Sequence, residues 1–371
     1  MDSIIERPTQ LEVNLDILCN NYSIIEKHVH PRPVMAVLKA NAYGHGIIHV
    51  AQALAHKTQC AHFAVAYLEE GIILREAGIS HSILVLGGII GEQIPLFLEY
   101  DLTITASSMD KLRAIQEHAT KHKKKARVHL KIDTGMERIG VHHYSAQKFI
   151  HYALSLDMIS VEGIFSHFSC ADEENPTPTN IQLQHFLGTI PPATSLGLRH
   201  IANSGAVLQF PDTWLDMVRV GIALYGVSPN PCIPLLEGLR PALRWTSRIV
   251  YFKVIPPQTP VSYGGRWISE EQTRIVTIPV GYGDGYQRRM SGSAQVLIRG
   301  KRYPVVGSIC MDQLMVDIGW EEAYNGEEVV ILGEQGTEKI LAQEHAQWAD
   351  MIVYEILCAI NNRVPRLYMG A

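Results

Sequence analysis

The segment VMAVLKA, Val34 to Ala40, is a short apolar run that contains a single lysine near its end. Seven similar runs follow it along the chain: HFAVAYL, SILVLGG, LTITAS, VHLKID, VEGIFSHF, RHIANS and MVRVGIALYG. Amphipathic patterns typical of helices lie around and between them, for example at Leu11 to His28, Ile47 to His56, Met109 to Lys121 and Ala146 to Leu156. Apolar strands that alternate with helices favour parallel pairing in a sheet buried on both faces. Eight such units within about 210 residues predict a (β/α)8 barrel, the α/β fold also called TIM-like.

The sequence changes in character after Pro234. Strand-like runs follow one another, separated by glycine, proline and asparagine turns: RWTSRIVYFKVI, TRIVTIPVG, AQVLIRGKRYPVVG, QLMVDIG and EEVVILG. A helical pair near Glu338 to Asn361 and the short run RVPRLYM end the chain. We therefore expect a barrel domain at residues 1–234, with an N-terminal segment that packs on the second domain, and a mostly β domain at residues 235–371.

The composition is that of a globular protein with a large core, because 47% of the 371 residues are hydrophobic and 19% are charged. The net charge is −5, and the cationic run KHKKKAR, Lys121 to Arg127, fits a solvated helix end. We expect no nucleic-acid partner. The six cysteines are widely spaced without a CxxC pair, so the sequence predicts neither a metal framework nor a disulfide scaffold.

The chain carries no pattern of membrane insertion or export. Its uncharged stretches fall short of the roughly 20 apolar residues that a bilayer span requires. The N-terminal sequence MDSIIERPTQLEV lacks the basic region and the apolar stretch of a secretion signal. We expect a cytoplasmic protein without membrane contact.

Polar residues stand at the ends of the predicted barrel strands, where barrels of this class carry their chemistry. These strand-end residues are Lys39, Lys131, Asp133, His167, Asn203, Ser204 and Arg219. A lysine at the end of an apolar strand is costly to bury while it is charged. Partial burial lowers the pKa of a lysine and frees its amine to attack an aldehyde. Lys39 is therefore a candidate for a covalent bond to an aldehyde cofactor.

The ends of the seventh and eighth predicted strands suggest which aldehyde this is. Barrels commonly bind phosphate at the loops after these strands. Ser204 offers a hydroxyl there, and Gly205 and Gly221 allow backbone N–H groups to approach an anion closely. A lysine together with a phosphate site predicts pyridoxal 5'-phosphate as cofactor.

Eight segments in order resemble the successive motifs of the alanine racemases, a fold-type III pyridoxal-phosphate family. They are LKANAYGHG, KIDTGMERIG, FSHFSCAD, RHIANSGA, RVGIALYG, VSYGGRW, VGYGDGY and CMDQLMVD. The resemblance extends from RPTQLEVNLD near the N-terminus to NNRVPR near the C-terminus. It implies interconversion of L- and D-alanine for cell-wall peptidoglycan, in a homodimer whose active sites are shared between the subunits.

The resemblance also implies roles for individual residues. The residues expected to bind the cofactor are Lys39, Tyr43, Asn203, Ser204, Arg219, Gly221, Ile222 and Tyr354. Arg219 matches the arginine that faces the pyridine nitrogen of the cofactor. The residues expected to contact the substrate are Arg138, Met311 and Asp312, with Lys131 beside Arg138 as a lysine often found carbamylated.

Racemisation removes the α-proton from one face of a planar carbon and returns a proton to the other face, so two groups on opposite sides suit it. Lys39 and Tyr263 are the implied pair, with Tyr263 supplied by the partner subunit. A free tyrosine has a pKa near 10, which is too high for an efficient base at neutral pH. Arg219, acting through His167 and His200, is expected to help.

Each of these positions also has a plainer interpretation by pattern alone. Tyr263 fits a strand-end tyrosine packed under a glycine turn, and His167 and His200 fit core histidines. Lys131 fits a barrel-interior residue paired with Asp133.

Two positions depart from the usual family pattern near the predicted entrance of the site. Ser308 stands where many members have arginine, and Trp267 stands where a smaller aromatic residue is common. Three other residues, Asp172, Tyr282 and Arg288, match entrance positions. The departures bear on substrate access and leave the expected catalytic residues unchanged.

Three alternative functions remain open at this point. A barrel-type amino-acid decarboxylase would place a carboxylate against the pyridine nitrogen, whereas this sequence has Arg219. A non-catalytic cofactor-binding barrel would not need the second domain with Tyr263 and Met311. A serine-preferring or broad-specificity racemase would differ in pocket volume, which a sequence does not show.

Overall fold

The computed structural model describes residues 7–192 and 194–370, and the chain divides into two units. The barrel unit comprises Leu18–Ala42 and Ile47–Arg240. The β unit comprises Met1–Ile17, Tyr43–Gly46 and Pro241–Ala371. Residues 1–6, which belong to the N-terminal stretch MDSIIERPTQLEV, lie outside the described residues.

The described residues contain helical segments throughout the barrel unit and near the C-terminus. They are α1 (Leu15–Val29), α2 (Lys39–Tyr43), α3 (Ile47–Lys57), α4 (Leu68–Glu76), α5 (Ile94–Glu99), α6 (Met109–His122), α7 (Ala146–Leu154), α8 (Thr177–Thr189), α9 (Ser204–Gln209), α10 (Ala342–Ala349) and α11 (Val353–Ala359). Short 3-10 turns include Ile222–Tyr225 and Tyr263–Gly265.

Most strands lie on the predicted runs. The strands are β1 (Gln10–Asn14), β2 (Val34–Val37), β3 (His62–Val65), β4 (Ser82–Val85), β5 (Thr103–Ala106), β6 (Ala126–Asp133), β7 (Val141–His142), β8 (Ile159–Phe165), β9 (Leu198–His200), β10 (Val218–Val220), β11 (Leu243–Arg248), β12 (Tyr251–Ile255), β13 (Pro260–Val261), β14 (Trp267–Ile268), β15 (Thr273–Ile278), β16 (Gln295–Ile298), β17 (Lys301–Val306), β18 (Leu314–Asp317), β19 (Glu328–Gln335), β20 (Glu338–Ile340) and β21 (Arg366–Met369). The exceptions to the predicted runs are Gln10–Asn14, Val141–His142, Pro260–Val261, Trp267–Ile268 and Glu338–Ile340, the last at the start of the stretch predicted to be a helical pair.

The barrel unit confirms the predicted fold. Its strands pair in the order β10-β2-β3-β4-β5-β6-β8-β9, every neighbouring pair is parallel, and β7 pairs with β6. A hydrogen bond of 3.0 Å from the backbone N–H of Arg219 to the carbonyl of Ala202 links β10 to the segment after β9. The barrel is thus nearly closed, and the carboxyl ends of its strands meet at one rim.

The β unit is built on a long mixed sheet in the order β12-β15-β18-β17-β16-β19-β11-β1-β21, with β20 beside β19. Strands β13 and β14 form a separate hairpin. Each neighbouring pair in the long sheet is antiparallel except β1 and β21. The predicted single run RWTSRIVYFKVI splits into β11 and β12.

The start of the chain differs from its predicted secondary structure. A helix was expected from Leu11, but helix α1 begins at Leu15 and the preceding residues form β1. Burial alternates along β1, which pairs with β11 and β21 far along the chain, and the backbone N–H of Ile17 donates to Oδ1 of Asn14 at 2.9 Å. The cause is that long-range pairing overrides a local pattern compatible with either structure.

Among the described residues, no helix combines the length and the apolar character needed to cross a membrane.

Candidate active site

Lys39 stands just after β2, at the rim formed by the carboxyl ends of the barrel strands. The four residues after it, Ala40–Tyr43, all have φ between 51° and 54°, in the left-handed region. Such a run is unfavourable for residues with a Cβ. It is held by a 2.6 Å hydrogen bond from the Ala40 N–H to Oε1 of Glu70 and by a 2.8 Å bond from the Ala42 N–H to the carbonyl of Leu38. The strained turn therefore places Lys39 at a defined point of the rim.

Arg219, on β10, is a buried cation at the same rim, with 3% of its surface exposed. Its guanidinium donates to Nδ1 of His200 at 2.8 Å and to Nδ1 of His167 at 3.1 Å. It also donates to the carbonyls of Ser166 and Ile201 at 2.8 Å and 3.2 Å. Within the described part of the chain, its acceptors are carbonyl oxygens and imidazole nitrogens. Burial lowers the pKa of Arg219 to about 9, which still leaves the group charged at neutral pH.

The contacts of Arg219 decide the tautomers of the histidines. Arginine can only donate, so Nδ1 of His167 and Nδ1 of His200 both accept, and each neutral ring carries its proton on Nε2. Nε2 of His200 lies 2.8 Å from Nδ1 of His129, so His200 donates and His129 accepts. Burial and the charge of Arg219 lower the pKa of His167 and His200 well below the ordinary value. The result is a directed chain of neutral histidines that starts at a fixed cation.

His129 was missed by the sequence interpretation, although a signal for it was present. It lies two residues before Lys131 on β6, and alternate residues of a strand point to the same face. Burial, with smaller effects from His62 and Arg219, lowers the pKa of His129 to about 3. Gly163 on β8 makes room for it, because a Cβ there would lie 2.7 Å from the His129 ring.

Lys131 and Arg138 are linked through the loop after β6. Burial, followed by the charge of Arg219, lowers the pKa of Lys131 to about 7. The carboxylate of Asp133 accepts backbone N–H bonds from Gly135 at 2.9 Å and from Arg138 at 3.2 Å. Burial alone would raise the pKa of Asp133, but these N–H donors bring it below its usual range. Asp133 thus shapes the loop that carries the exposed Arg138.

Four of the residues predicted to bind the cofactor, Asn203, Ser204, Gly221 and Ile222, lie in the loops after β9 and β10. Oδ1 of Asn203 accepts the N–H of Ala206 at 3.1 Å and caps helix α9. The hydroxyl of Ser204 accepts the N–H of Gly221 at 3.0 Å and the N–H of Ala223 at 3.3 Å. The Ser204 hydroxyl therefore joins the two loops, next to the turn that begins at Ile222.

In the β unit, Tyr43 and Tyr354 lie together, with ring centroids 6.1 Å apart. Gly44 packs against helix α11, because a Cβ there would lie 2.4 Å from the Leu357 carbonyl. Nε of Arg366 donates to the carbonyl of Gly44 at 2.8 Å. The two tyrosines for which the family resemblance implies phosphate contact thus lie next to each other.

Tyr263 and the predicted substrate-binding residues also belong to the β unit. The Tyr263 side chain is 73% exposed and that of Met311 is 52% exposed. The carbonyl of Met311 accepts the N–H of Gly283 at 2.8 Å, and the carboxylate of Asp312 accepts from Nη2 of Arg363 at 2.7 Å. The structure therefore places the predicted residues in two groups, one in each unit of the chain.

Two family models match consecutive parts of the chain. The model described as "Alanine racemase, N-terminal domain" matches residues 13–229, and the model described as "Alanine racemase, C-terminal domain" matches residues 242–368. This chain belongs to the alanine racemase family.

Relatives of the alanine racemase family match the chain over its whole length. A curated protein named alanine racemase, from Halothermothrix orenii, is 41% identical over 99% of this chain and 98% of its own. The crystal structure of alanine racemase from Streptomyces lavendulae superimposes with a TM-score of 0.94 at 35% identity, covering 99% of this chain and 98% of that one. A histidine racemase from Leuconostoc mesenteroides superimposes with a TM-score of 0.91 at 26% identity, covering 99% of both chains.

The alanine racemases are pyridoxal 5'-phosphate enzymes, and this chain is a pyridoxal-phosphate-dependent racemase. The residues present fit the cofactor. Arg219 offers a buried positive charge, surrounded by neutral acceptors, to a ring nitrogen. The hydroxyl of Ser204 accepts the N–H groups of Gly221 and Ala223, so its own O–H proton can be donated to a phosphate. Lys39 carries an amine at the same rim.

Proposed function

We propose that this enzyme interconverts L- and D-alanine with two bases, Lys39 of one subunit and Tyr263 of the partner subunit. The observation that carries the proposal is the placement of the two residues. Lys39 stands at the rim of the barrel unit, whereas Tyr263 lies in the β unit with 73% of its side chain exposed. An exposed phenol on the second unit suits a group that completes the site of another subunit.

The chemistry needs an amine and a phenol on opposite faces of the α-carbon. Pyridoxal phosphate, when bound, withdraws electrons from that carbon and makes its proton acidic. One base then takes the proton while the conjugate acid of the other returns one. Lys39, Arg219 and Ser204 hold the cofactor, and Met311 and Arg138 orient the substrate carboxylate.

Arg219 supports the phenol through His167. Because Nδ1 of His167 accepts from Arg219, its other nitrogen carries a proton that can be donated. A phenolate oxygen placed at that nitrogen gains a hydrogen bond and lies close to a positive charge, and both favour the ionised form. We assign this phenolate to Tyr263 of the partner subunit.

The surface of the β unit also favours association. Strand β12 is the outer strand of the long sheet, and three large apolar side chains along it are exposed: Tyr251, Phe252 and Val254. An exposed, apolar strand at a sheet edge is a feature that proteins normally cover. We assign this cover to the second subunit of a homodimer.

Subunit mixing tests the proposal. The Lys39→Ala and Tyr263→Ala homodimers should each be almost inactive. After the two are unfolded and refolded together, random pairing should restore about one quarter of wild-type activity, because half of the dimers are mixed and each mixed dimer has one intact site. Mixed dimers that form but stay inactive would show that one chain supplies both residues to the same site.

Alanine is the substrate that the family relationship favours. The histidine racemase superimposes closely, so the fold itself accommodates larger side chains and the pocket decides the preference. Racemisation rates for L-alanine, L-serine and L-histidine, measured side by side, test it. A rate for either competitor above that for L-alanine would overturn the assignment.

The cellular role follows from the product. We infer that the enzyme works in the cytoplasm and supplies D-alanine for peptidoglycan. Deletion of the gene should make growth depend on added D-alanine. Growth without D-alanine, in a strain shown to have no other racemase activity, would contradict this role.

A further inference from the structure

Ser262, the residue before Tyr263, has an unusual backbone conformation. Its φ is 67° and its ψ is −175°. This region is populated almost only by glycine, because a Cβ meets the neighbouring backbone there. A serine persists in such a conformation only when its surroundings hold it, and strain of this kind concentrates at functional sites.

Two serine hydroxyls hold this conformation. The hydroxyl of Ser262 donates to the carbonyl of Ser308 at 2.6 Å. The hydroxyl of Ser308 donates in return to the carbonyl of Tyr263 at 2.9 Å. Ser308 is only 2% exposed, so these bonds form with little competition from water. We call this reciprocal pair of hydrogen bonds the serine clasp.

The backbones joined by the clasp approach each other very closely. Gly307 has a φ of 69°, and a Cβ there would lie 2.7 Å from the carbonyl oxygen of Val261 and 2.8 Å from Cβ of Ser262. A larger residue at 307 would push the Tyr263 turn away.

The clasp connects Tyr263 to the segment that carries the substrate-binding residues. Ser308 stands two residues before Cys310, which is followed by Met311 and Asp312. On its other side, this segment accepts the N–H of Tyr282 at the Cys310 carbonyl, at 3.1 Å, and the N–H of Gly283 at the Met311 carbonyl. The clasp therefore sets the position of the Tyr263 turn relative to the predicted site of the substrate carboxylate.

We infer that Ser262 and Ser308 are positioning residues for the second base. The strained backbone of Ser262 lowers the stability of the fold, but it places Tyr263. The inference rests on the proposed role of Tyr263. The hydroxyl of Ser308 bonds the backbone of Tyr263 itself, so its loss would act directly on the turn that carries the second base.

A pair of substitutions at Ser262 separates strain from positioning. Both Ser262→Gly and Ser262→Ala remove the hydroxyl, but only glycine relieves the backbone strain. The glycine variant should therefore melt no lower than wild type, and the alanine variant should melt lower. Both variants should racemise about 10- to 100-fold more slowly, because a small misplacement of a catalytic group has an effect of this size. Ser308→Ala should slow the reaction in the same way.

Isotope effects distinguish positioning from general loosening of the fold. In the proposed mechanism, Tyr263 removes the α-proton of only one enantiomer of alanine, and Lys39 removes that of the other. Misplacement of Tyr263 should therefore raise the primary isotope effect for one enantiomer of α-deuterated alanine and not for the other. Gln258→Gly is the matched control, because Gln258 also has a positive φ, of 60°, but lies exposed on the approach to β13. It should leave both isotope effects and the rate unchanged.

The outcomes separate this inference from the function it rests on. Tyr263→Phe should be almost inactive, and retained activity there would overturn the role of Tyr263 and the inference together. If Tyr263→Phe is inactive but the Ser262 and Ser308 variants keep the wild-type rate, the clasp alone is refuted. The same holds if their isotope effects change equally for both enantiomers, or if the glycine variant loses as much stability as the alanine variant.

Discussion

The guanidinium of Arg219 donates a 2.8 Å hydrogen bond to Nδ1 of His200 and thereby fixes the proton of that ring on Nε2. His200 passes the constraint on to His129, and a second bond from Arg219 imposes the same tautomer on His167. One donor that is charged at neutral pH thus sets the tautomers of three histidines. The functional consequences of this network can be tested residue by residue.

Replacement of Arg219 by glutamate should reverse the sign of the charge that faces the ring nitrogen of the cofactor. A carboxylate would keep the ring nitrogen of the cofactor protonated, and it would leave His167 and His200 without their donor. Racemisation should fall about 100-fold or more, since a misplaced buried charge costs several kcal/mol and each 1.36 kcal/mol is a factor of ten in rate. Side reactions such as transamination should rise. Chiral chromatography of alanine and an assay of released pyruvate measure both.

Arg219→Lys is the control for this substitution. Lysine keeps the positive charge, but it cannot donate to His167 and His200 with the fixed geometry of the guanidinium. Racemisation should therefore fall without an increase in transamination. Wild-type racemisation in Arg219→Glu would refute the electrostatic argument.

His129→Leu should destabilise the barrel unit by about 1–3 kcal/mol, because it leaves the Nε2–H of His200 buried without an acceptor. Gly163→Ala should have a similar effect from the other side, since its new Cβ would displace the His129 ring. Chemical denaturation of both variants and their pH–rate profiles measure the result. If both variants match the wild type in stability and in pH profile, the chain of tautomers ends at His200.

Lys131 should lose its proton near neutral pH, because its pKa is lowered to about 7. A neutral lysine amine reacts with carbon dioxide, so carbamylation should increase as the pH rises through this value. Labelling with 13C-bicarbonate and carbon NMR should show a carbamate in the wild type that is absent in Lys131→Arg. A signal that is unchanged in the variant would place the carbamate elsewhere.

His345, outside the active site, should make the β unit sensitive to acid. Burial lowers its pKa to about 4, and its Nε2 donates to the carbonyl of Ile331 at 2.9 Å. Below pH 6.5, His345 binds a proton in the unfolded chain but stays neutral in the folded chain. The free energy of unfolding therefore falls as the pH drops toward 4. The slope attributable to one such group is at most about 1.4 kcal/mol per pH unit.

His345→Gln should therefore show a shallower loss of thermal stability between pH 6.5 and 4.5 than the wild type. The exposed His56→Gln is the matched control and should keep the wild-type slope. Equal slopes in wild type and His345→Gln would contradict the assignment of a neutral buried histidine.

Local sequence patterns predicted the secondary structure correctly where the residues of an element determine that element by themselves. The eight apolar runs became the eight ladder strands β2 to β6 and β8 to β10, because strands buried on both faces must be apolar throughout. The pattern failed at β1, whose partners β11 and β21 lie more than 200 residues away. It also failed to separate β11 from β12, because the break between them lies within a continuous apolar run.

The sequence by itself determined the barrel, the β domain and the family, since these depend on residue types and on their order along the chain. It also named Lys39, Arg219 and Ser204, because strand ends in a barrel share one rim. Only the tertiary structure decided that His129 joins the histidine chain, because a tautomer depends on which donor faces which nitrogen. Likewise, only the tertiary structure showed the strained backbone of Ser262 and its clasp with Ser308, since hydrogen bonds between residues 46 positions apart leave no trace in a local pattern.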